Sequence, residues 1–512
     1  MHATVTTFAL LGVEAREVQV EVDLRSGLPS FAIVGLPDAA VRESRERVRA
    51  ALANAGFEFP QKRITVNLAP ANLPKAGPGY DLAIAAGILA AHGKLAPEAV
   101  AGVGLAGEVA LDGAVRPIPG ALPMALRARR NGLRLLGVPE VNATEAALAL
   151  AAGANGGARD PRPGLRIVGL EHLRQLESLE SAGALRPVPI PAPEAPGAED
   201  APDLADLRGQ AALRRALEVA AAGGHSLLML GPPGVGKSMA ARRMPSILPA
   251  LEQGEAIEAL AVASACGAAP PLARARVRPY RAPHHTISRA GLVGGGTPPR
   301  PGELTRAHRG LLFLDELPEF SRDTLEALRQ PLEEGRIVIV RARHSVTLPC
   351  RTMLVAAANP CPCGRPNGDE ECECAPGAIR RYRARISGPL ADRLDITVDV
   401  GPPTAGELGA GPGEASAAVR ERVMAARERQ AARLGRGRSN AEATTREIRR
   451  DVRLDAAASG ALALGKARLA LSGRGYDRVL RIARTIADLR GGGRVEADDV
   501  AEALTLRSRV GD

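Results

Sequence analysis

The chain carries Gly231-Pro-Pro-Gly-Val-Gly-Lys-Ser238 between an apolar run, Ser226-Leu-Leu-Met-Leu230, and a helix-compatible segment, Met239-Ala-Ala-Arg-Arg243. A strand, a glycine-rich loop and a helix in this order are typical of a phosphate-binding loop, because backbone N–H groups and the positive end of the helix then face the same anion. The residues predicted to bind the nucleotide are Gly231, Pro232, Pro233, Gly234, Val235, Gly236, Lys237 and Ser238. Lys237 is expected to reach the β- and γ-phosphates, and the Ser238 hydroxyl to hold Mg²⁺. The motif predicts a protein that binds a nucleoside triphosphate.

A second motif predicts that the bound nucleotide is hydrolysed. Leu311-Leu-Phe-Leu-Asp315-Glu316 reads as an apolar strand that ends in two carboxylates, which is the pattern of a Walker B strand. Asp315 is expected to hold Mg²⁺ through water. Glu316 is expected to act as the general base that polarises the attacking water.

Three further polar residues follow in the order found in nucleotide-driven motors of the AAA+ class. Asn359 comes directly after the strand-like Met353-Leu-Val-Ala-Ala-Ala358 and resembles sensor 1, which orients the attacking water. Arg393 resembles an arginine finger that is given to the ATP of a neighbouring subunit, where a planar guanidinium suits charge spread over phosphate oxygens. Arg474 opens a helix in the last segment and resembles a sensor 2 arginine, which reaches from a lid to the γ-phosphate.

Beyond these motifs, eight further strings are spread along the chain: Val34-Gly-Leu-Pro-Asp38, Arg42-Glu-Ser-Arg-Glu-Arg-Val48, Val66-Asn-Leu-Ala-Pro70, Pro283-His-His-Thr-Ile-Ser288, Gly294-Gly-Gly296, Pro301-Gly-Glu303, Asn359-Pro-Cys-Pro-Cys-Gly364 and Ala483-Arg-Thr-Ile-Ala-Asp488. Through them the chain resembles, over nearly its whole length, the magnesium chelatase-like AAA+ ATPases of the YifB/ComM family. The resemblance implies a homo-hexamer that uses ATP and Mg²⁺ to move on branched or junction DNA. Its best-understood role is branch migration during natural transformation.

The predicted fold class is α/β, with three folded parts. Residues 1–185 resemble the Lon protease domain, an α/β fold of the ribosomal S5 domain 2-like type. Residues 203–400 are predicted to form the AAA+ P-loop ATPase core, and residues 416–512 a C-terminal helical lid, the magnesium chelatase C-terminal domain. Between them lie a proline-rich linker, 186–202, and a second linker, 401–415.

The first part lacks the residues that Lon-type proteolysis requires. Gly107-Glu-Val-Ala-Leu-Asp-Gly-Ala-Val-Arg-Pro-Ile118 is very close to the strand-turn-strand signature of that family. The serine motif falls on Lys75-Ala-Gly-Pro-Gly-Tyr-Asp81, which contains no serine, and the lysine position falls on Met124. Since the protease needs a serine nucleophile activated by a lysine, we expect a structural or DNA-guiding module.

Charge and composition limit the classes of partner. The net charge of +10 and an isoelectric point near 9.8 favour a polyanion, although enrichment in Ala, Gly and Arg is also typical of a GC-rich coding bias. Aromatic residues make up only 2% of the chain, so DNA would be held by its phosphates rather than by base stacking. The sequence shows no signal-peptide pattern and no long apolar run, and its six cysteines have no export context. A cytoplasmic protein outside the membrane is therefore expected.

An insertion in the core, Arg281–Thr297, precedes the Asp315 strand and matches the helix-2 insert of chelatase and MCM-like motors, which lines a central pore. Its adjacent His284 and His285 would point in different directions, so a structural loop is expected there rather than a metal site.

A second candidate for DNA contact is Arg336-Ile-Val-Ile-Val-Arg-Ala-Arg-His-Ser-Val-Thr-Leu348, whose alternation predicts a β-hairpin with a basic tip. Arg341 and Arg343 are the candidates for binding DNA phosphates. The alternative is a solvated turn on an edge hairpin.

Four cysteines, Cys361, Cys363, Cys372 and Cys374, form the pattern C-x-C-x₈-C-x-C. Four thiols this close together, in a loop with Gly, Pro and Asp, predict a tetrahedral Zn²⁺ site. The C-x-C pairs are tighter than the usual C-x₂-C, so free thiols and a disulfide are alternatives. The remaining cysteines, 266 and 350, have no such spacing and are predicted to be buried as small apolar residues.

The function that these motifs predict is an ATP-driven hexameric AAA+ motor on DNA, in particular a branch-migrating helicase. The alternative is a motor subunit of a magnesium or cobalt chelatase. Such subunits usually lack the Lon-like front domain and the cysteine loop, and this chain has both. A Lon-like protease is disfavoured by the missing serine and lysine, and a non-catalytic scaffold by the intact nucleotide motifs.

Overall fold

The computed structural model describes residues 1–151, 164–179, 185–190, 202–296, 298–341, 344–365, 372–386, 388–391, 393–409, 411–469 and 471–507. Within them, one large β-sheet lies before the predicted proline-rich linker and another lies after it, followed by a group of helices. Most of that linker, 191–201, is outside the described residues.

The strands of the first part are β1 (His2–Leu11), β2 (Glu14–Arg25), β3 (Ser30–Val34), β4 (Arg63–Ala69), β5 (Val103–Leu105), β6 (Glu108–Val109), β7 (Val115–Arg116), β8 (Leu135–Pro139) and β9 (Arg166–Leu170). Seven of them form a mixed sheet in the order β3-β4-β2-β1-β5-β8-β9, and β6 and β7 form a separate hairpin. In β2 the residues alternate between the two faces of the sheet, and Val18, Val20 and Val22 of one face are buried.

The helices of this part are α1 (Ala39–Asn54), α2 (Asp81–Ala91), α3 (Pro97–Val100), α4 (Ala121–Arg130) and α5 (Glu140–Ala151). Helix α1 begins where the Asp38 side chain accepts a hydrogen bond from the Val41 backbone. Every residue of α2 is buried, as its nearly continuous apolar sequence requires. The one carboxylate in α2, Asp81, is paired with Arg47 at 2.8 Å, so its charge is compensated.

The strands of the second part are β10 (Leu227–Leu230), β11 (Tyr280–Arg281), β12 (Leu311–Leu314), β13 (Arg336–Arg341), β14 (His344–Pro349), β15 (Met353–Ala358) and β16 (Ile396–Asp399). Five of them form a sheet in the order β11-β12-β15-β10-β16, and every neighbouring pair is parallel. The carboxyl ends of these strands therefore meet at one edge of the sheet. The two remaining strands, β13 and β14, form the predicted hairpin.

The helices around this sheet are α6 (Ala211–Gly223), α7 (Lys237–Ile247), α8 (Gln253–Ala265), α9 (Arg289–Val293), α10 (Glu303–Arg306), α11 (Arg322–Glu326), α12 (Arg329–Glu334), α13 (Pro376–Arg383) and α14 (Gly388–Ala391). Alternate residues of each strand enter different cores. Leu227 and Met229 share a core with α6 and α7, whereas Leu228 shares one with the β13–β14 hairpin. The sheet is covered on both faces, which explains why its strands are apolar throughout.

The last helices are α15 (Ala405–Gly409), α16 (Ser416–Leu434), α17 (Thr445–Asp451), α18 (Ala456–Arg468), α19 (Gly473–Leu489) and α20 (Ala497–Thr505). The short helix α15 lies inside the segment predicted as the second linker, 401–415. Val423 of α16 and Ile482 of α19 are buried in the same core as α6. Among the helices of the described residues, none combines the length and the apolar character needed to cross a bilayer.

Candidate active site

The glycine-rich loop joins the carboxyl end of β10 to α7, which begins at Lys237. Gly234 and Gly236 have φ angles of 81° and 96°, a region that favours glycine, so the turn of the loop depends on them. At Gly231 a Cβ atom would lie 2.1 Å from the carbonyl oxygen of Val400, so a larger residue would push apart two neighbouring strand ends. The strand, loop and helix predicted from the sequence are present in this order.

The Lys237 side chain is buried beneath the loop and is held by acceptors of its own chain. Its Nζ donates to the carbonyl oxygens of Gly231 and, at 2.8 Å, Pro232, and to Asn359 Oδ1 at 3.1 Å. Burial lowers the pKa of this ammonium, although the charges of Asp315 and Glu316 oppose that shift. Lys237 is therefore positioned at the loop. The charged oxygens of a bound phosphate would take the place of its present neutral acceptors.

The two predicted Mg²⁺ residues lie side by side. Ser238 Oγ donates to Asp315 Oδ2 at 2.6 Å, although the residues are far apart in sequence. They meet because β12 and β15 are neighbours in the sheet and β15 also pairs with β10, which leads to the loop. A hydroxyl and a carboxylate offer the hard oxygen atoms that Mg²⁺ prefers, so the pair fits this ion, held directly or through water.

The predicted general base, Glu316, has an unusual backbone and a second contact that the sequence did not suggest. Its φ angle is 51°, in the left-handed region that costs energy for a residue with a Cβ atom. Its side chain is half exposed, and Oε2 lies 3.3 Å from Nδ1 of His285. The structure thus brings Glu316 to the same sheet edge as Lys237 and Asn359 but attaches it to the insertion.

The sequence pattern does not predict that His285 lies at the site, because the adjacent histidines indicate only a structural loop. Its ring packs edge-on against Phe320 at 6.4 Å and lies 4.1 Å from the ring of His284. The expectation that the two side chains point in different directions is therefore wrong, because their rings lie side by side. His284 nevertheless has a polar partner of its own, since its Nδ1 is 3.0 Å from Thr286 Oγ1. The sequence Pro283–Ser288 identifies the loop, but nothing in it predicts that His285 contacts Glu316.

The structure does not bring Arg393 and Arg474 to the glycine loop of their own chain. Arg393 precedes β16, at the amino ends of the parallel strands and thus at the opposite sheet edge. Its Nη2 lies 2.6 Å from Glu333 Oε1, and its Nε donates to the Arg329 carbonyl at 3.0 Å. Arg474 is exposed, and its Nη1 lies 3.4 Å from the same Glu333 oxygen.

Beside these arginines, a cleft of about 740 Å³ separates the amino edge of the sheet from the C-terminal helices. Arg478 and Asp395 line this cleft, and Arg478 Nε is 2.9 Å from Asp395 Oδ1. The buried His225 adds a second contact with α19, since its Nε2 is 2.8 Å from Thr485 Oγ1. Burial disfavours ionisation of Asp395, but His225 and Arg478 lower its pKa to about 2. A charged carboxylate therefore links α19 to β16.

The hairpin predicted to contact DNA has a buried base and an exposed tip. In the register of β13 and β14, Arg341 is opposite His344, and the Arg341 side chain is exposed. Arg343 lies outside the described residues, so the prediction for it stays a prediction. The inward-facing residues share a core with Val13 of the first part, and these are Ile337, Ile339, Val346 and Leu348. The turn between β1 and β2 thus supports the hairpin.

The four clustered cysteines come together as the spacing predicted. The sulfur atoms of Cys361 and Cys363 are 3.2 Å apart, and Cys372 lies 3.7 Å from the first and 3.6 Å from the second. Including Cys374, all four sulfurs lie within 4.8 Å of one another. These separations exceed the S–S bond of about 2.05 Å, so no disulfide joins any two of the four residues. Outside the cluster, Cys350 is buried as predicted, whereas Cys266 is only partly buried.

In the first part, the segment on which the protease serine motif falls begins at Lys75, and the position of the protease lysine holds Met124. Lys75 is almost fully buried, and its Nζ donates to the Pro70 carbonyl. Burial lowers the pKa of this ammonium. Met124 is buried within α4. These contacts are consistent with structural roles in the core of this part.

Three family models match the chain. The model described as magnesium chelatase, subunit ChlI, matches residues 203–408, and subunit ChlI of Mg-chelatase matches residues 20–142. The third, magnesium chelatase, subunit ChlI C-terminal, matches residues 413–507. The matched segments cover the first sheet in part, the second sheet and the last helices.

Several known proteins are similar to the chain, some over nearly their full length and one over a short segment. YifB of Escherichia coli, described as uncharacterized, is 43% identical over 508 residues, which are 98% of this chain and 96% of that protein. The competence protein ComM of Haemophilus influenzae is 42% identical over 510 residues, 99% of this chain and 98% of that protein. The magnesium-chelatase 38 kDa subunit of Acidiphilium rubrum is 29% identical over 100 residues, 20% of this chain and 26% of that protein.

Proposed function

Since this chain belongs to the YifB/ComM family of magnesium chelatase-like proteins, we propose that it is a motor that hydrolyses ATP and moves on branched DNA. The observation that carries the proposal is the meeting of Lys237, Ser238, Asp315, Glu316 and Asn359 at one edge of the parallel sheet. Each of these residues supplies a group that phosphoryl transfer to water needs.

In the proposed reaction, water attacks the γ-phosphorus of ATP and the bond to the β-phosphate oxygen breaks, which gives ADP and phosphate. The loop N–H groups and Lys237 bind the phosphate oxygens, and Ser238 and Asp315 hold Mg²⁺, which neutralises phosphate charge when bound. Glu316 accepts the proton of the attacking water. To do so it has to leave His285, and Asn359 has to leave Lys237 to orient the water.

A homo-hexamer is the proposed working state, because one chain leaves its site incomplete. Arg393 and Arg474 lie at the sheet edge away from their own loop, where they would face the ATP of a neighbouring subunit. An arginine supplied by a neighbour stabilises charge on the phosphate oxygens in the transition state. The Lon-like front domain and the helical lid are proposed as the parts that frame this assembly.

DNA is the proposed track, and branch migration the proposed task. Three observations support this proposal. A similar protein is named as a competence protein, the chain has a net charge of +10, and the tip of its hairpin exposes Arg341. The second strand of this hairpin leads through Cys350–Thr352 into β15, which ends at Asn359. In this proposal, that connection links contact with DNA phosphates at the tip to the nucleotide state sensed by Asn359.

The alternative function is the motor subunit of a magnesium or cobalt chelatase, which the names of the three family models favour. The extent of the alignments argues against this alternative. The similarity to a chelatase subunit covers 20% of this chain, whereas the similarity to the competence protein covers 99%. Measuring ATP turnover of the purified chain with forked DNA, Holliday junctions, candidate protein partners or nothing added distinguishes the two. Stimulation by junctions alone supports the DNA motor, and stimulation by a partner protein alone refutes it.

The proposed cofactors are ATP with Mg²⁺ and, separately, Zn²⁺ at the four-cysteine cluster. The cysteine sulfurs are not among the groups that contact phosphate in this scheme. A zinc ion there would therefore have a structural role rather than a chemical one.

A further inference from the structure

The four-cysteine cluster, Cys361, Cys363, Cys372 and Cys374, lies immediately beside the proposed nucleotide site. Cys361 follows Asn359 by two residues, directly beyond the end of β15, and its sulfur is buried. Cys374 is two residues before α13 begins. The cluster thus connects the segment that follows β15 with the segment that precedes α13.

The sulfur positions fit one tetrahedral ion. With Zn–S bonds of about 2.3 Å, the edges of a regular tetrahedron of sulfurs are about 3.8 Å long. The separations of 3.2, 3.7 and 3.6 Å among Cys361, Cys363 and Cys372 are close to that edge. Iron–sulfur clusters also take four thiolates, but they place several iron and sulfide atoms between them, which requires a wider arrangement. The geometry therefore favours a single ion.

The same loop touches the parts that bind and sense nucleotide. At Gly364, whose φ is 81°, a Cβ atom would lie 2.7 Å from Cγ and Cδ of Pro233 in the glycine loop. From α13, Arg383 Nε donates to the Pro360 carbonyl at 3.2 Å, and Tyr382 hydrogen bonds with the backbone of Asn359. The backbone of Asn359 and Pro360 and the side chain of Pro233 in the glycine loop are thus in contact with residues next to the cluster.

We infer that the four cysteines bind one Zn²⁺ and that this ion holds the loop which positions Pro233 and Asn359 for ATP hydrolysis. The second part of this inference rests on the proposed function, whereas the first does not. Zinc is the ion that four thiolates at these distances favour, and it undergoes no redox change of its own. Loss of the ion would release residues 360–364 from the nucleotide site.

The metal site is tested on the full-length protein purified under reducing conditions without added metal. We expect elemental analysis to find about one zinc and no iron per chain. The variant Cys361→Ser/Cys372→Ser should lose the zinc, and Cys266→Ser, which changes a thiol outside the cluster, should keep it. Absence of zinc from the fresh wild-type protein, or full zinc in the double variant, overturns the site. If the double variant does not fold, zinc release from the wild type on blocking its thiols with a mercurial decides the same question.

The coupling is tested by ATP turnover of the same proteins, with thermal unfolding as the check on folding. We expect the zinc-free variant to lose about tenfold or more in kcat while KM for ATP changes by about threefold or less, because Asn359 acts on the water rather than on binding. Gly364→Ala should keep its zinc and still lose turnover, since the added Cβ presses on Pro233. A folded, zinc-free variant with wild-type kcat overturns the coupling. If the wild type itself does not hydrolyse ATP, the proposed function fails while the zinc content still stands as its own result.

Discussion

Arg393 donates from Nη2 to Glu333 Oε1 at 2.6 Å, on the sheet edge that faces away from its own glycine loop. The arginine proposed for a neighbour's ATP is thus held by a carboxylate of its own subunit. Arg393 is nearly buried, whereas Arg474, which shares the same oxygen at 3.4 Å, is exposed. To contact the ATP of a neighbouring subunit, Arg393 would have to leave the Glu333 carboxylate and bind phosphate oxygens instead.

Replacing Arg393 by alanine should abolish most turnover, because arginine fingers contribute on the order of 10³–10⁵ to the rate. When Arg393→Ala is mixed with Lys237→Ala, activity should partly return, since mixed assemblies pair an intact glycine loop with an intact finger. The measurement is steady-state ATP hydrolysis over a range of mixing ratios. Failure of every ratio to exceed the sum of the two separate proteins would refute a finger that acts between subunits.

Removing the charge of Glu333 should release both arginines. We expect Glu333→Gln to raise turnover by about two- to tenfold when the subunit concentration is too low for full assembly. The variant replaces a charge-assisted hydrogen bond with a neutral one that is about 1 kcal/mol weaker. Glu334→Gln is the matched control, because Glu334 is adjacent in α12 but contacts Arg336 instead. Equal turnover of the wild type and both variants across subunit concentrations would show that Glu333 does not restrain the finger.

The variant Glu316→Gln keeps the shape of the proposed base but cannot accept a proton. It should still bind ATP and lock the assembly, while hydrolysis falls by orders of magnitude. Nucleotide binding is followed with a fluorescent ATP analogue and hydrolysis by phosphate release. Turnover like that of the wild type would remove Glu316 from the role of base.

The contact between His285 and Glu316 predicts a restraint on basal hydrolysis. In His285→Phe the ring can remain against Phe320 while Nδ1 is lost, so Glu316 is freed. We expect DNA-independent turnover to rise by about two- to tenfold and the stimulation by DNA to shrink correspondingly. His285→Asn, which retains a polar group, should lie closer to the wild type. His284→Phe serves as the control, and the same rise in that variant would argue against a specific contact.

The hairpin tip predicts a separation of ATP hydrolysis from DNA movement. Arg341→Ala/Arg343→Ala should leave basal turnover largely intact, while DNA stimulation and strand displacement on branched substrates fall together. DNA affinity should also become less salt-dependent, because fewer phosphates are neutralised. Arg336→Ala, at the base of the hairpin, is the control. If the double variant moves junctions at the normal rate, the contact with DNA must be sought in residues 281–303 instead.

Much of the nucleotide site could be read from the sequence because each of its motifs is local. Gly231–Ser238, Asp315 with Glu316, and Asn359 each follow a short apolar run, and such runs become buried parallel strands whose carboxyl ends share an edge. The C-x-C spacing likewise predicted a compact cysteine cluster, and the structure confirms the proximity of the sulfurs.

The sequence by itself therefore determined the parallel core, the residues that converge on its glycine loop and the family. Only the tertiary structure decided that His285 meets Glu316, that Glu333 holds Arg393, that Gly364 packs on Pro233, and that the turn before β2 supports the hairpin. Local patterns fix the path of the backbone over a few residues. Contacts between segments that are distant along the chain depend on how whole elements pack, and no short pattern encodes which side chains then touch.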